Sequence, residues 1–425
     1  MDYFNKIDDI YLATLTKQNI NLRYRIDLLD WTEENILKEI TENIIMGSGS
    51  LSINYQPGIR RTFSCDIANI DGEFTPSFRT GTLYATTKLK LYIGLRSYLN
   101  NDTYWFSQGV FLLTDVVNKS SGSNKIVTIN AIDKFGIFGS ELGYMQLQGD
   151  YKIQHGTKIY SIIKDILSID MENGYVIDCI KPFLDPIYKD EIMPYTLIKN
   201  KGEQMSDVLI TLANILGCNI YYDVEGVLTL SSGTDDCTYA REGVIYVFNE
   251  QSAGMSDFDL KIDYGSIVNS VTVVGTNVND KVYSYTARNT DPFSPTRIEY
   301  VGLKECEPIE SSMVYNADRA KEYALYMLKR KSILQNILSF KSIPIPHLDV
   351  DKVVQITNSE YNFFESRFII QSLQFPISTD EEITLETSNT SELPYFELQE
   401  GDDTEDETTT EESVTETLME GDEII

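Results

Sequence analysis

Histidine is almost missing from this chain: His155 and His347 are the only two among 425 residues. A histidine-based catalytic triad or a His-rich metal site needs several imidazoles to converge, and the material is not there. His347 sits in Pro344–Asp349, an extended stretch stiffened by its prolines, so both histidines read as structural. The cysteines Cys65, Cys179, Cys218, Cys237 and Cys306 are odd in number, scattered and never spaced C-x-x-C. That argues against a disulfide framework or zinc ribbon and fits assembly in a reducing cytoplasm. Positive charge is scarce as well: 35 Lys and Arg stand against 65 Asp and Glu, for a net charge of -30. An acidic surface does not coat nucleic acid, although an acidic channel lets DNA pass without sticking. No apolar run approaches the roughly eighteen residues of a membrane span, and no basic-then-apolar leader opens the chain. Stable nucleic-acid binding and membrane insertion are therefore not expected. No cofactor motif is present either: there is no G-x-S-x-G, H-E-x-x-H or Walker A pattern. Gly47-Ser48-Gly49 has no helix after it and reads as a linker.

What is present is β-forming. Hydrophobic residues make up 42% and tyrosine leads the aromatics with 27 residues, which suits half-buried strands and polar interfaces. Strands are expected at Arg23–Leu29, Leu51–Tyr55, Thr62–Ile70, Lys88–Leu95, Tyr104–Ser107, Gly109–Thr114 and Lys125–Ile132. Ile36–Met46 reads as an amphipathic segment, Asp71-Gly72 as a hairpin dipeptide and Asn100-Asn101-Asp102 as a polar loop. The period then changes. Ile159, Ile162, Ile163, Ile166 and Leu167 line one face of a helix capped by Thr157. Val208, Leu209, Leu212, Ile215 and Leu216 line a second, stopped by Gly217, with Cys218 a small core residue after it. A hairpin follows, Asn219–Asp223 and Val227–Ser231 flanking Val224-Glu225-Gly226. Strands return at Ile267–Val274 and Lys281–Ala287. A helix after Asn316 then carries Ala320, Ala324, Met327 and Leu328 on one face and Lys329-Arg330-Lys331 at its end. Strands at Ile333–Ile343, Lys352–Ile356 and Phe364–Phe375 complete the pattern.

The expected fold is mainly β with α+β insertions: two small β-barrel domains and an intervening α+β domain. The boundaries fall at 1–138 for the first barrel, 139–240 for the α+β domain, and 241–396 for the second barrel with its helix. Residues 397–425 form an acidic tail with 13 Asp and Glu and no Lys or Arg, expected to be disordered. The body thus carries -17 of the net -30.

Several segments, in order, resemble the baseplate hub (tail-tip hub) proteins of long-tailed bacteriophages. These are Arg60–Pro76, Asp207–Leu230, Ser294-Pro295-Thr296-Arg297-Ile298, the helix after Asn316, and Ser342–Val350. The resemblance implies two barrels as a pseudo-repeat and a homotrimeric ring whose pseudo-sixfold face meets a sixfold tail tube or distal tail protein. It also implies a channel for tape-measure protein or DNA, a central spike or fibre as partner, and a place in the virion tail tip. Wall-degrading and host-binding activities would then belong to other proteins. The implied role is structural, with no enzyme activity and no cofactor, and Arg60, Arg61 and Arg297 are candidates for interface salt bridges.

Two other readings compete. A tail-associated peptidoglycan hydrolase needs two carboxylates in a cleft, one with a raised pKa, and pairs such as Asp349 and Asp351 are easily found among 65 acids. On a strand, those two would share a face. A carbohydrate-binding adhesion module needs an exposed aromatic platform, for which Tyr104-Trp105-Phe106 is the place to look.

Overall fold

The computed structural model describes residues 7–17, 20–76, 82–122, 124–139, 141–142, 146–168, 177–231, 243–249, 255–275, 281–311, 314–332 and 336–388. The acidic tail and Cys237 lie outside them. The chain is mainly β with α+β insertions, as its alternation predicts.

The first β unit contains a short helix α1 (Asp9–Leu15) and strands β1 (Asn21–Leu29), β2 (Ile36–Ile40), β3 (Ser50–Asn54), β4 (Arg61–Ala68), β5 (Lys88–Arg96), β6 (Thr103–Ser121) and β7 (Asn124–Asp133). Their order in the sheet is β3-β4-β7-β6-β5-β1-β2. The segment after β2 returns to β4 through Ile45 N–H donating to Asp66 O at 2.9 Å and Ala68 N–H donating to Asn43 O at 2.8 Å. That contact closes the barrel, and it explains why Ile36–Met46 is a strand and a bridge rather than a longer amphipathic element. Tyr104–Ser107 and Gly109–Thr114 are one strand, not two. Gln108 is the extra residue of a bulge, between the pairs Tyr92–Ser107 and Leu91–Gly109. Asp71-Gly72 turns the chain, with Gly72 at φ 76°. It closes no hairpin, because β4 pairs with β3 and β7.

The second β unit holds β13 (Tyr246–Asn249), β14 (Ser256–Ile262), β18 (Asn336–Ser342), β19 (Val353–Asn358), β20 (Phe363–Pro376) and β21 (Ile383–Ser388), ordered β14-β18-β21-β20-β19-β13. β20 bends through three partnerships. Phe363–Ile369 faces β19, Ile369–Gln374 faces β21, and Ser372–Pro376 faces β3. The last splices both units into one thirteen-stranded sheet over a shared core that includes Leu51, Phe63, Phe340 and Phe375. Gly47-Ser48-Gly49 is part of this splice, not a linker. Gly47 N–H donates to Ile377 O at 2.7 Å, and a Cβ on Gly49 would sit 2.0 Å from Ser64 O.

Between β7 and β13 lies an α+β insertion. It contains β8 (Tyr151–Ile153), α2 (Ile159–Leu167), β9 (Phe183–Leu184), β10 (Leu197–Lys199), α3 (Met205–Leu216), β11 (Asn219–Tyr222) and β12 (Leu228–Ser231). The apolar faces of α2 and α3 meet in a core of their own. Gly217 ends α3 at φ 68°. The N-cap of α2 is Lys158, without a side-chain bond. Thr157 stands one residue too early, and its carbonyl accepts from Met193 N–H at 2.8 Å.

A second insertion interrupts the later β unit: β15 (Ser270–Gly275), β16 (Ser284–Arg288), α4 (Ile298–Val301), β17 (Ile309–Ser311) and α5 (Ala317–Lys331). Val271, Val273, Ala287, Val314, Ala320, Ala324 and Leu328 form its separate small core. Asn316 caps α5, its side chain accepting from Arg319 N–H at 2.8 Å.

Candidate functional site: a buried polar junction

The densest chemistry in the chain lies where the outer face of the first barrel is covered by the first insertion. Arg60 stands just before β4, Arg61 opens it, and β7 ends beside them on Asp133. Asp133 Oδ2 accepts from the backbone N–H of Arg60 at 2.7 Å and of Arg61 at 3.0 Å, and Oδ1 accepts from Phe135 N–H at 3.0 Å. Burial pushes the Asp133 carboxyl up to about 6, and those amide donors hold it from rising further. Arg61 is fully buried. Its Nη1 donates to Tyr222 O at 2.8 Å, and its Nη2 donates to both carboxylate oxygens of Asp349 at 2.7 Å. One side chain thus joins the first β unit, the insertion and the second β unit. Arg60 lies with its guanidinium 3.4 Å from the ring centre of Tyr221 and 5.1 Å from that of Tyr55.

A second cluster adjoins the first. Glu33, in the β1–β2 turn at φ 63°, accepts from Lys88 Nζ at 2.6 Å and Lys134 Nζ at 2.5 Å. Lys134 also meets Asp178 at 2.8 Å and donates to Gly226 O at 2.9 Å, while Tyr222 OH donates to Asp178 at 2.8 Å. Burial and the neighbouring Lys134 lower the Lys88 pKa, against the pull of Glu33. Arg61, Lys88 and Lys134 are thus each paired with carboxylates, namely Asp349, Glu33 and Asp178. Paired and hydrogen-bonded charges of this kind tolerate burial and fix one relative placement of the parts they join.

The sequence pointed to Arg60, Arg61 and Arg297 as contacts between subunits. In the structure Arg60 and Arg61 are buried inside one chain and hold its own parts together. Two arginines beside a Pro-Gly turn look solvent-exposed until the insertion that covers them is in place. Arg297 folds back on its own loop, donating to Pro292 O at 2.8 Å, meeting Glu299 at 3.4 Å and lying 3.6 Å from the Tyr300 ring centre. Glu33, Lys88, Lys134 and Asp178 were missed. Lys88 is in phase with Lys90 and Tyr92 on the outer side of β5, and alternation gives no sign of which part of that side is covered.

The features sought by the competing readings have other employment. Asp133, raised to about 6, is buried and accepts from three backbone amides, while burial also raises the carboxyls of Asp27 and Asp223. Asp349 and Asp351 lie in a turn rather than on a strand, with Asp351 at φ 63°. Phe106 is buried, and Trp105 packs over Gly94 with the Arg25 guanidinium 5.1 Å from its ring centre. His347 is buried between the two β units. Tyr11 OH lies 2.7 Å from its Nδ1, Ile245 O lies 3.2 Å from its Nε2, and burial lowers its pKa to about 4. Among the described residues, no group of three or more His, Cys, Asp or Glu is placed to hold a metal ion.

No protein-family model matches the sequence, and no curated protein matches it. The architecture is nevertheless a known one: the chain has the fold of phage tail proteins. A tail protein from Neisseria meningitidis superposes with a TM-score of 0.58 at 12% identity, over 86% of this chain and 96% of that one. The 43 kDa tail protein of prophage MuSo2 from Shewanella oneidensis gives 0.55 at 10% identity, over 87% and 98%. The VgrG-containing PdpA complex of Francisella gives 0.53 at 13% identity, over 89% of this chain and 54% of that chain. The resemblance read from short segments of sequence is therefore matched by the fold.

Proposed function

We propose that this chain is the structural hub of a phage tail tip, a homotrimeric ring joining the tail tube or distal tail protein above to a central spike or fibre below. The observation that carries this reading is the splice of the two β units into one sheet, held by the buried ion pairs at Arg61. Two comparable units in each of three copies offer six similar faces, which suits a sixfold tube on one side and a threefold spike on the other. Rigidity is what such a connector needs, and the buried pairs supply it. The Francisella complex contains a VgrG protein, and a spike of that kind fits as the partner below. Tape-measure protein or DNA would occupy the channel, and the body's surplus of acidic side chains keeps DNA from adhering there. The site of action is the virion tail, after assembly in the bacterial cytoplasm. Light scattering across a range of concentrations tests the ring. A mass near three times 48.4 kDa is expected. A strict monomer at the highest concentration would overturn the self-assembling trimer.

A further inference from the structure

Among the strand edges that have no strand partner in the described residues, two differ in the charge they carry. Along β6, Thr103–Leu112 pairs with β5, whereas Leu113–Ser121 pairs with β7 alone. Thr114–Ser121 therefore presents a bare edge about 26 Å long at ~3.3 Å per residue. All of it is exposed except Val116, which is half-buried. The arm is well held. Thr114 Oγ1 donates to Asn130 O at 3.0 Å, Asn130 Nδ2 donates to Asp115 at 2.8 Å, and Lys125 Nζ donates to Ile70 O at 3.2 Å. The second edge belongs to β14, the terminal strand of the sheet, whose one strand partner among the described residues is β18 and whose Phe258 O accepts from Tyr361 OH at 3.1 Å. Asp257, Asp259 and Lys261 are exposed along it, alternating with half-buried Phe258 and Leu260.

The two edges are complementary. Lys119 and Lys125 give the β6 arm a positive end in a chain of net charge -30. β14 carries two aspartates, of which Asp257 takes Lys341 at 2.6 Å. Lys119 and Asp259 form no ion pair among the described residues. A lysine on a bare edge ordinarily protects it from stray pairing, and it does so against neutral or basic edges. Toward an acidic edge the same lysine attracts. Pairing of the β6 edge with itself would give a twofold dimer, whereas a closed ring needs two different patches on every copy.

We propose that Thr114–Ser121 of one copy adds as a strand to Ser256–Ile262 of the next, Lys119 facing the aspartates, so that the sheets of successive subunits continue around the ring. This rests on the trimeric reading above and supplies its contact. Hydrogen exchange of the intact chain, followed at concentrations below and above assembly, tests it. Amides in 114–121 and 256–262 should exchange at least tenfold more slowly in the trimer. Lys119→Glu should weaken each contact roughly threefold, hence trimerisation roughly thirtyfold, and Asp259→Lys in the same chain should restore it. A trimer with no added protection in either segment, or one indifferent to both substitutions, overturns the strand pairing and leaves the trimer standing. A chain monomeric throughout overturns the trimer, and the pairing with it.

Discussion

Arg61 and Asp349, 288 positions apart, meet with one guanidinium nitrogen 2.7 Å from both carboxylate oxygens. This pair connects the start of β4 to the loop before β19. Asp349→Ala would remove the carboxylate that a fully buried guanidinium holds through both oxygens. Losses of this kind run to about 3–5 kcal/mol, and the 20% exposure of the Asp349 side chain places this one toward the lower end. Denaturant unfolding of the variant checks it. An unchanged midpoint would mean that the pair is structurally idle.

Lys134 is the more deeply committed cation, since it meets Glu33, Asp178 and the Gly226 carbonyl together. Lys134→Met keeps its bulk but leaves two carboxylates with one fewer partner. A loss of about 3–5 kcal/mol is expected. Limited proteolysis should also show the first insertion opening before the β units do.

Asp133 and His347 give opposite pH dependences over the same range. The folded carboxyl of Asp133 sits near 6 against an ordinary 3.8, so its contribution is full below about 4 and is lost as pH rises through 6. Folded His347 sits near 4 against 6.5, so its contribution is full above 6.5 and is lost as pH falls through 4. In the native chain the two slopes oppose each other. Relative to it, His347→Gln should lose stability as pH rises from 4 to 6.5, whereas Asp133→Asn should gain. Unfolding midpoints measured across that range decide it, and parallel curves for all three proteins would contradict the assignment.

Gly49, just before β3, lets the chain pass close to Ser64 of β4 beside the splice to β20. Gly49→Ala would put a Cβ 2.0 Å from Ser64 O, costing about 1–3 kcal/mol or more. Gly149→Ala, where nothing lies within 4 Å, serves as the control and should leave the melting temperature nearly unchanged.

How much of this was legible in the sequence follows from the range over which each signal acts. Strands with strict alternation, such as Lys88–Arg96 and Asn124–Asp133, and helices with an unbroken stripe, such as Ile159–Leu167, are local and were expected where they stand. α1 was not, since seven residues at one end of the chain give too short a period, although Asp8 caps it through Tyr11 N–H. The splice of β3 to β20 joins residues more than 300 apart, and no local pattern encodes it. The second insertion was folded into one domain with the barrel, because its strands alternate like those around them. The junction was half visible: Arg60 and Arg61 stood out as charges, but their burial depends on an insertion that covers them from 161 positions away.

The central claim is an assembled ring around a channel, and electron microscopy of the purified chain tests it most directly. Class averages viewed end-on should show threefold particles with an open centre and six similar lobes at the rim. Compact particles without a central opening, or a field of single 48.4 kDa chains at every concentration, would contradict it.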